Sequence, residues 1–366
     1  MAGLTDAERR TWLLLGVLYA AVVIPIGIRK GADLDTHLEL AERLLRGLSL
    51  YEHGPGLGAW WPPFAVLALT PLALVARTSV ALAKAAYALL GVACLVWSVT
   101  RLRAPTWRRT ALAVAAVAVP LQTNFEYLNI NAVLLALVVA AALDLARGRD
   151  VRAGAWLGLA TALKAFPALL LLYVAYRRRW RAAACGAGVA LGLSACALLP
   201  YGVHGAWTTA KDWLAVSAAG GWLLHPGNQS LLALLGRSGV APRGVMVIEL
   251  LLLALAGIAL RRPPAGDEDV MDEVGIVTLL AVLMSPIAWS HYYLLAFPAW
   301  VAAVSRAPRT RTARVALVLA AVATSGVLAV SFRASKGVLL EHSIYAWGGL
   351  ALLGVLLAER PTRAWS

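Results

Sequence analysis

Charge is what this sequence has least of. Only 14% of its residues are Asp, Glu, Lys or Arg, against about 25% in an ordinary soluble domain. Acids are scarcer still, 19 against 33 bases. A shortage on that scale excludes a soluble protein of average surface. Cysteine is nearly absent: Cys94, Cys185 and Cys196 lie in apolar runs without metal-ligand spacing. No disulfide framework is implied, and the three read as packing residues. The chain also lacks a phosphate-binding or dinucleotide glycine motif, a G-x-S-x-G elbow and an H-E-x-x-H pair, and its histidines show no ligand spacing. Nucleotide cofactors and a zinc centre are therefore not expected, and the metal and cofactor expectation is none. Internal repeats are missing, and no loop is long enough to fold alone.

What is abundant is apolar surface. Hydrophobic residues make up 61% of 366 positions, and the mean hydropathy is +0.74. Apolar runs recur at 11–28, 61–76, 79–100, 110–121, 128–146, 154–176, 182–200, 243–260, 274–290, 292–305, 315–331 and 343–358. A helix needs about 20 apolar residues to cross the hydrocarbon core. The runs predict an all-α, polytopic transmembrane protein with about twelve segments, one membrane domain over residues 1–366. Runs 61–76 and 110–121 are short and 154–176 contains Pro167, so broken or half-crossing helices are expected there. Arg9 and Arg10 precede the first run without a small-x-small cleavage site, which reads as an uncleaved span starting in the cytoplasm.

The net charge of +14 sits in short clusters between apolar runs, at Arg177 to Arg181, Arg261-Arg262 and Arg306 to Arg314. The positive-inside rule produces that pattern, so the expected partner is the bilayer and not nucleic acid. These clusters are assigned to the cytoplasm together with both termini. The intervals 29–60, 201–228 and 332–342 share the outer face with the break at Ser290-His291. The same count puts Arg101 to Arg109 and Arg147 to Arg152 outside, against the charge rule. Either they meet a lipid phosphate or some segments are re-entrant. The acidic stretch 263–273 reads as a solvated connector.

One polar interval stands out. Arg29 to Phe64 carries Asp33, Asp35, His37, Glu39, Glu42, Glu52 and His53, a dense set of proton-transfer groups just past the first span. Leu38, Leu40, Ala41, Leu44, Leu45 and Leu48 follow helical spacing, which predicts an amphipathic helix over Leu34 to Leu50 lying on the bilayer, stopped at Gly47. Asp33 or Asp35 could cap that helix or accept a proton, and local chemistry leaves both readings open. Trp60-Trp61-Pro62-Pro63 reads as an interfacial anchor opening a helix, compatible with a rigid wall beside Asp33.

Elsewhere, Gln122 to Asn131 interrupts two apolar runs with amides, an acid and aromatics, groups that satisfy loosened backbone or bind a ligand. Lys164 lies in an apolar run three residues before Pro167, and an ammonium in hydrocarbon is a functional candidate unless it snorkels. Lys84 and Glu249 are weaker cases. The tryptophan-rich interval 201–237 holds His204, Asp212, His225, Asn228, Gln229, Ser230 and Arg237, a composition that suits either an interfacial belt or a sugar ring. Ser285 to His291 places a proline-broken helix end and a histidine on the same face.

In order and spacing these pieces resemble glycosyltransferase family 87, polyprenyl-phosphate-mannose-dependent α-mannosyltransferases of the GT-C superfamily. The matching stretches are D-L-x-x-x-L-x-x-A-x-x-L-L-x-G at 33–47 with Leu50-Tyr51, W-P-P-F at 61–64 and P-L-A-L at 71–74. They continue with N-x-N-x-x-L-L-A-L at 129–137, L-K-x-x-P at 163–167, G-N-Q-S-L at 227–231 and S-P-I-x-W-x-H at 285–291. Two positions depart: the family's usual G-Q-x-N is Leu128-Asn129-Ile130-Asn131, and its usual tyrosine after the first Asp is His37.

The resemblance implies a GT-C fold and transfer of mannose from polyprenyl-phosphate-mannose to a glycolipid or glycan acceptor on the outer face of the cell membrane, with inversion. It implies Asp33 as general base; the candidate substrate-binding residues are Asp35, His37, Tyr51, Trp61, Asn129, Asn131, Lys164, Asn228, Gln229, Arg237 and His291. Lys164, Arg237 and His291 are the candidates to offset the leaving phosphate's charge. The rival readings are transfer of another sugar such as arabinose, and a lipid or sugar transporter or flippase. Transport is disfavoured by the missing inverted repeat and by acids at the interface instead of the midplane.

Overall fold

A computed structural model of the chain describes residues 6–51, 61–102, 104–218, 222–306, 308–331 and 336–360. Glu52, His53 and Trp60 lie outside the described residues. Every regular element among the described residues is helical. The chain divides into two compact units, Met1–Arg101 with Gln122–Gly221, and Leu102–Leu121 with Trp222–Ser366.

In the first unit, α1 (Asp6–Lys30) is followed after Gly31 alone by α2 (Ala32–Leu45). The buried face of α2, Leu34, His37, Leu38, Leu40, Ala41 and Leu44, packs on α3 (Pro63–Ala68) and α4 (Thr70–Thr78). The amphipathic helix thus turns its apolar stripe to protein, where the sequence suggested lipid. It stops at Gly47, whose φ of +68° lets the Gly47 and Leu48 amides return to the carbonyls of Leu44 and Arg43. Pro62 and Pro63 open α3 as the proline pair predicts. The short run at 61–76 is two helices, broken at Leu69. α5 (Val80–Arg101) packs along α1.

α6 (Trp107–Ala115) and the first residues of α7 (Ala118–Tyr127) belong to the second unit. From Gln122 the chain is in the first unit again. α7 ends at Leu128, which holds φ +53° while 1% exposed, and the Asn129 amide returns to the Asn124 carbonyl at 2.9 Å. A left-handed residue other than glycine costs about 1–2 kcal/mol, and 128 is the position where the resembling motif carries glycine. Here packing of the buried leucine holds the bend that presents Asn129.

α8 (Asn131–Ala146) packs on α5 and on α9 (Asp150–Leu163). The run at 154–176 breaks between Leu163 and α10 (Ala168–Tyr176), and α11 (Trp180–Leu198) continues through a 3₁₀ turn at Pro200 into α12 (Gly202–Ala218). α9 and α11 approach to backbone contact. A Cβ on Gly154 would lie 2.3 Å from the Ala182 carbonyl oxygen, and one on Gly158 2.4 Å from that of Gly186. Such small-x-x-x-small contacts substitute close packing for the hydrophobic effect that lipid does not supply. Gly158→Ala is accordingly expected to lower stability by about 1–3 kcal/mol, read as a drop in Tm in detergent, and to lower activity because Lys164 follows directly on α9.

The second unit holds α13 (Leu231–Arg237), α14 (Pro242–Ala259), α15 (Asp267–Leu283), a 3₁₀ stretch at Ser290–Ala296, α16 (Phe297–Ser305), α17 (Arg311–Thr324), α18 (Val327–Ser331), α19 (Lys336–Glu341) and α20 (Ile344–Ala358). Tyr293, Phe297, Trp300 and Tyr345 fill the core where α15, α16 and α20 meet. The stretch 263–273 needs correcting. Residues 263–268 are solvated, but the rest is no connector: α15 starts at Asp267, Arg306 pairs with Asp269 and Asp272 at 2.9 and 2.5 Å, and the fully buried Glu273 pairs with Arg360. Acids in the first turn of a helix meet the positive end of its dipole, and the basic cluster supplies the counter-charges.

Four helical stretches among the described residues are long and apolar enough to cross a membrane: Arg10–Lys30, Val80–Arg101, Trp180–Ser217 and Pro242–Ala259. Their outer faces are apolar, with Leu14, Val17, Leu89, Leu191, Leu251 and Leu255 all exposed. A water-soluble protein does not present such continuous apolar faces. The three cysteines are free.

Candidate active site

The capping alternative for Asp33 is removed by the start of α2. Gly31 occupies the N-cap position, no side chain caps the helix, and Asp33 and Asp35 lie inside its first turn. Asp33 instead meets a residue 96 positions away. Asn129 Nδ2 donates to Asp33 Oδ2 at 2.7 Å, and Lys164 Nζ donates at 3.3 Å to Oδ1 of both Asn129 and Asn131. Three breaks in regular structure bring these groups together: the Gly31 joint, the left-handed Leu128 and the extended Lys164 at the end of α9, with φ −156° and ψ 130°. The interruption before Pro167 falls where the cation sits.

His37 is one turn on from Asp33 and so on the same helix face. It is 3% exposed, its ring stacks on Trp61 with centroids 3.5 Å apart, and its Nδ1 has no hydrogen-bond partner among the described residues. Trp61 is fixed in turn by the Tyr51 hydroxyl, which donates to its carbonyl at 2.8 Å. Lys164 Nζ lies 5.9 Å from the ring centroids of Trp61 and Phe166, within cation–π range. Of the residues expected in the first unit, Asp33, His37, Tyr51, Trp61, Asn129, Asn131 and Lys164 are thus linked by contacts.

Asp35 is not part of that set. Its Oδ2 accepts from Lys84 Nζ at 2.7 Å, with the lysine buried and the acid half exposed. Lys84 was the weaker of the two candidate lysines in sequence, and pairing with an acid 49 positions earlier was not readable from either residue's neighbours.

Burial pushes the Asp33 carboxyl above its ordinary value, opposed by the Asn129 hydrogen bond and the charge of Lys164. Desolvation thus makes it a stronger base than a surface aspartate. Burial, and secondarily Lys164, pulls His37 well below the usual imidazole range, so the ring is neutral. A carboxylate linked through an amide to a buried lysine can take a proton, and the lysine, when protonated, can offset negative charge.

A family model described as glycosyltransferase family 87 matches residues 60–286, more than half of the chain. The chain belongs to glycosyltransferase family 87. The matched stretch includes Trp61, Asn129, Asn131, Lys164, Asn228, Gln229 and Arg237, while Asp33, His37 and His291 lie outside it. A Mycolicibacterium smegmatis protein named polyprenol-phosphate-mannose-dependent alpha-(1-2)-phosphatidylinositol mannoside mannosyltransferase is 28% identical, over 82% of this chain and 77% of the relative. A Mycobacterium tuberculosis protein of the same name is 32% identical, over 69% of this chain and 62% of the relative. A second M. smegmatis protein, named for phosphatidylinositol pentamannoside, is 27% identical over 65% of this chain and 59% of its own length. No solved structure matches the chain.

The remaining residues expected to bind substrate are in the second unit. Asn228 makes four hydrogen bonds to backbone, to Leu223, Pro286, Ser230 and Ala288. Gln229 donates to the carbonyls of Pro226 and Leu340 and accepts from the Tyr345 amide. Arg237 donates to the carbonyls of His225, Asn228 and Glu341 and to Ser343 Oγ. These contacts staple loops of the second unit together. His291 is buried beside Tyr292, with ring centroids 5.2 Å apart.

Proposed function

We propose that this chain is an integral-membrane transferase that moves mannose from polyprenyl-phosphate-mannose to a mannoside-bearing glycolipid such as a phosphatidylinositol mannoside, with inversion at the anomeric carbon. The observation that carries the reading is the hydrogen-bonded chain from the Asp33 carboxylate through Asn129 to the Lys164 ammonium. It supplies both things the reaction needs, a base and a charge for the departing phosphate. Asp33 removes the acceptor hydroxyl's proton, and that oxygen bonds to the anomeric carbon. The carbon–oxygen bond to phosphate breaks, and polyprenyl phosphate leaves with the electron pair. Lys164 offsets its charge in a site where water is largely excluded.

About twelve crossings, with 29–60 on the outer face of the cell membrane, remain part of the proposal. That side suits a lipid-linked donor, whose synthesis needs no nucleotide at the site of transfer. Neutral His37 fits a sugar hydroxyl better than a phosphate, and its Nδ1 supplies the partner. His37→Phe keeps a ring on Trp61 but removes the nitrogen. It is expected to raise the donor KM about fivefold to tenfold, the worth of one hydrogen bond. Its Tm should not fall, since an unsatisfied buried polar atom is lost.

The deciding test is purified full-length protein in nanodiscs with synthetic mannosyl-1-phosphoryl-polyprenol and phosphatidylinositol mannoside. Transfer that follows the mannose donor supports the reading. Transfer only from an arabinose-bearing donor replaces the sugar, and movement of lipid-linked sugar across vesicles without transfer replaces the enzyme by a transporter.

A further inference from the structure

Three aromatic side chains of the second unit meet at one place. Ring centroids are 5.1 Å apart for Trp222 and His225, 5.5 Å for His225 and Trp289, and 5.9 Å for the two tryptophans, whose planes stand at 71°. The indoles therefore form a corner, with His225 exposed at its edge. Interfacial tryptophans elsewhere in the chain look different: Trp107, Trp180 and Trp207 are 62%, 64% and 66% exposed, as residues of a lipid belt are. Trp222 and Trp289 are only half exposed.

The corner is also held rigid, which a belt does not require. Asn228 uses all four hydrogen bonds that an amide side chain can make to join the two loops that carry the rings. It donates to the carbonyls of Leu223 and Pro286 at 2.8 and 2.9 Å, and accepts from the amides of Ser230 and Ala288 at 3.1 and 2.9 Å. Arg237 fixes the same loop through the Leu224, His225 and Asn228 carbonyls. Gly227 packs against Trp289, so close that a Cβ there would be 2.4 Å from Cζ3 of the indole. The Gly227 amide donates to His225 Nδ1 at 3.0 Å. The proton of the neutral ring is thereby set on Nε2, as an outward donor.

We propose that Trp222, His225 and Trp289 form a saccharide-binding corner that takes a pyranose ring of the mannoside acceptor. A pyranose has an apolar C–H face and a rim of hydroxyls. The negative faces of the indoles attract the first, and the fixed His225 donor meets the second. Preorganised rings also spare the sugar the entropy of ordering its own site. The assignment to the acceptor rests on the proposed function, since a transferase that extends a mannoside must hold two saccharides.

The test uses full-length protein in nanodiscs, with methyl α-mannoside as the probe in saturation-transfer NMR and phosphatidylinositol mannoside as the acceptor in turnover. Trp289→Ala is expected to abolish saturation transfer and raise the acceptor KM about tenfold with kcat and donor KM unchanged, while Trp289→Phe retains most of both. If Trp289→Ala does not fold, Trp222→Ala carries the same comparison. Wild-type protein that gives no saturation transfer, or a Trp→Ala variant with unchanged probe binding and acceptor KM, overturns the corner. Probe binding that depends on the indoles, in protein that transfers no mannose, upholds the corner and removes the transferase reading.

Discussion

Replacing Asp33 by asparagine is expected to reduce kcat by about 10²–10⁴-fold, the usual worth of a positioned general base, with both KM values little changed. Asparagine keeps the shape of the side chain and an oxygen that accepts the 2.7 Å hydrogen bond from Asn129, so what is lost is the capacity to take a proton. The pH profile separates this from a structural effect. Transfer needs Asp33 ionised, and burial raises its pKa above 3.8, so the wild-type rate should fall with decreasing pH while ordinary carboxylates are still charged. The residual rate of the variant should lack that acidic limb.

Stability should move the other way. With its pKa raised, the folded chain holds the Asp33 proton more tightly than the unfolded chain does, so ionisation above that pKa opposes folding. At neutral pH the asparagine variant should be at least as stable as wild type by thermal unfolding. Transfer retained at the wild-type rate would sink the assignment and move attention to Asp35. Asp35→Asn is expected to act mainly on stability, because it strips the buried Lys84 of its counter-charge.

Hydropathy alone was enough to read an all-helical membrane protein, because lipid leaves a spanning backbone few other choices. It also flagged the weak points. The runs 61–76 and 154–176 do break, at Leu69 and between Leu163 and Ala168. What periodicity could not supply was the partner on the far side of each break. Asp33 and Asn129 are 96 residues apart, and Asp35 and Lys84 are 49 apart. Only packing chooses such pairs. The left-handed backbone at Leu128 was hidden for a different reason, since a buried leucine gives no local sign of positive φ, whereas Gly47 announced its own. Asn228 and Arg237 read in sequence as polar residues able to meet a ligand, yet their described hydrogen bonds are to the protein's own loops. A polar residue in an apolar chain signals that something is satisfied, and sequence does not say whether that is substrate or backbone.

Lys164→Met is expected to produce the second large loss, a fall in kcat/KM of about 10²–10³-fold, the range seen when one stabiliser of developing charge is removed. Methionine matches the length of the lysine stem in a position that is 6% exposed, so packing is kept while the ammonium goes. The same change removes a positive charge that pulls the Asp33 pKa down. The acidic limb of the pH profile should therefore move to higher pH in Lys164→Met, on top of the lower maximum. Lys164→Arg keeps the charge and should hold the limb near its wild-type position. Its planar fork does not reproduce a single ammonium shared between the Asn129 and Asn131 oxygens at 3.3 Å, so the maximal rate should recover only in part. A limb that stays in place in Lys164→Met would show that Asp33 does not feel this charge, and the coupling of base and cation through Asn129 would then fail even with Asp33 kept as the base.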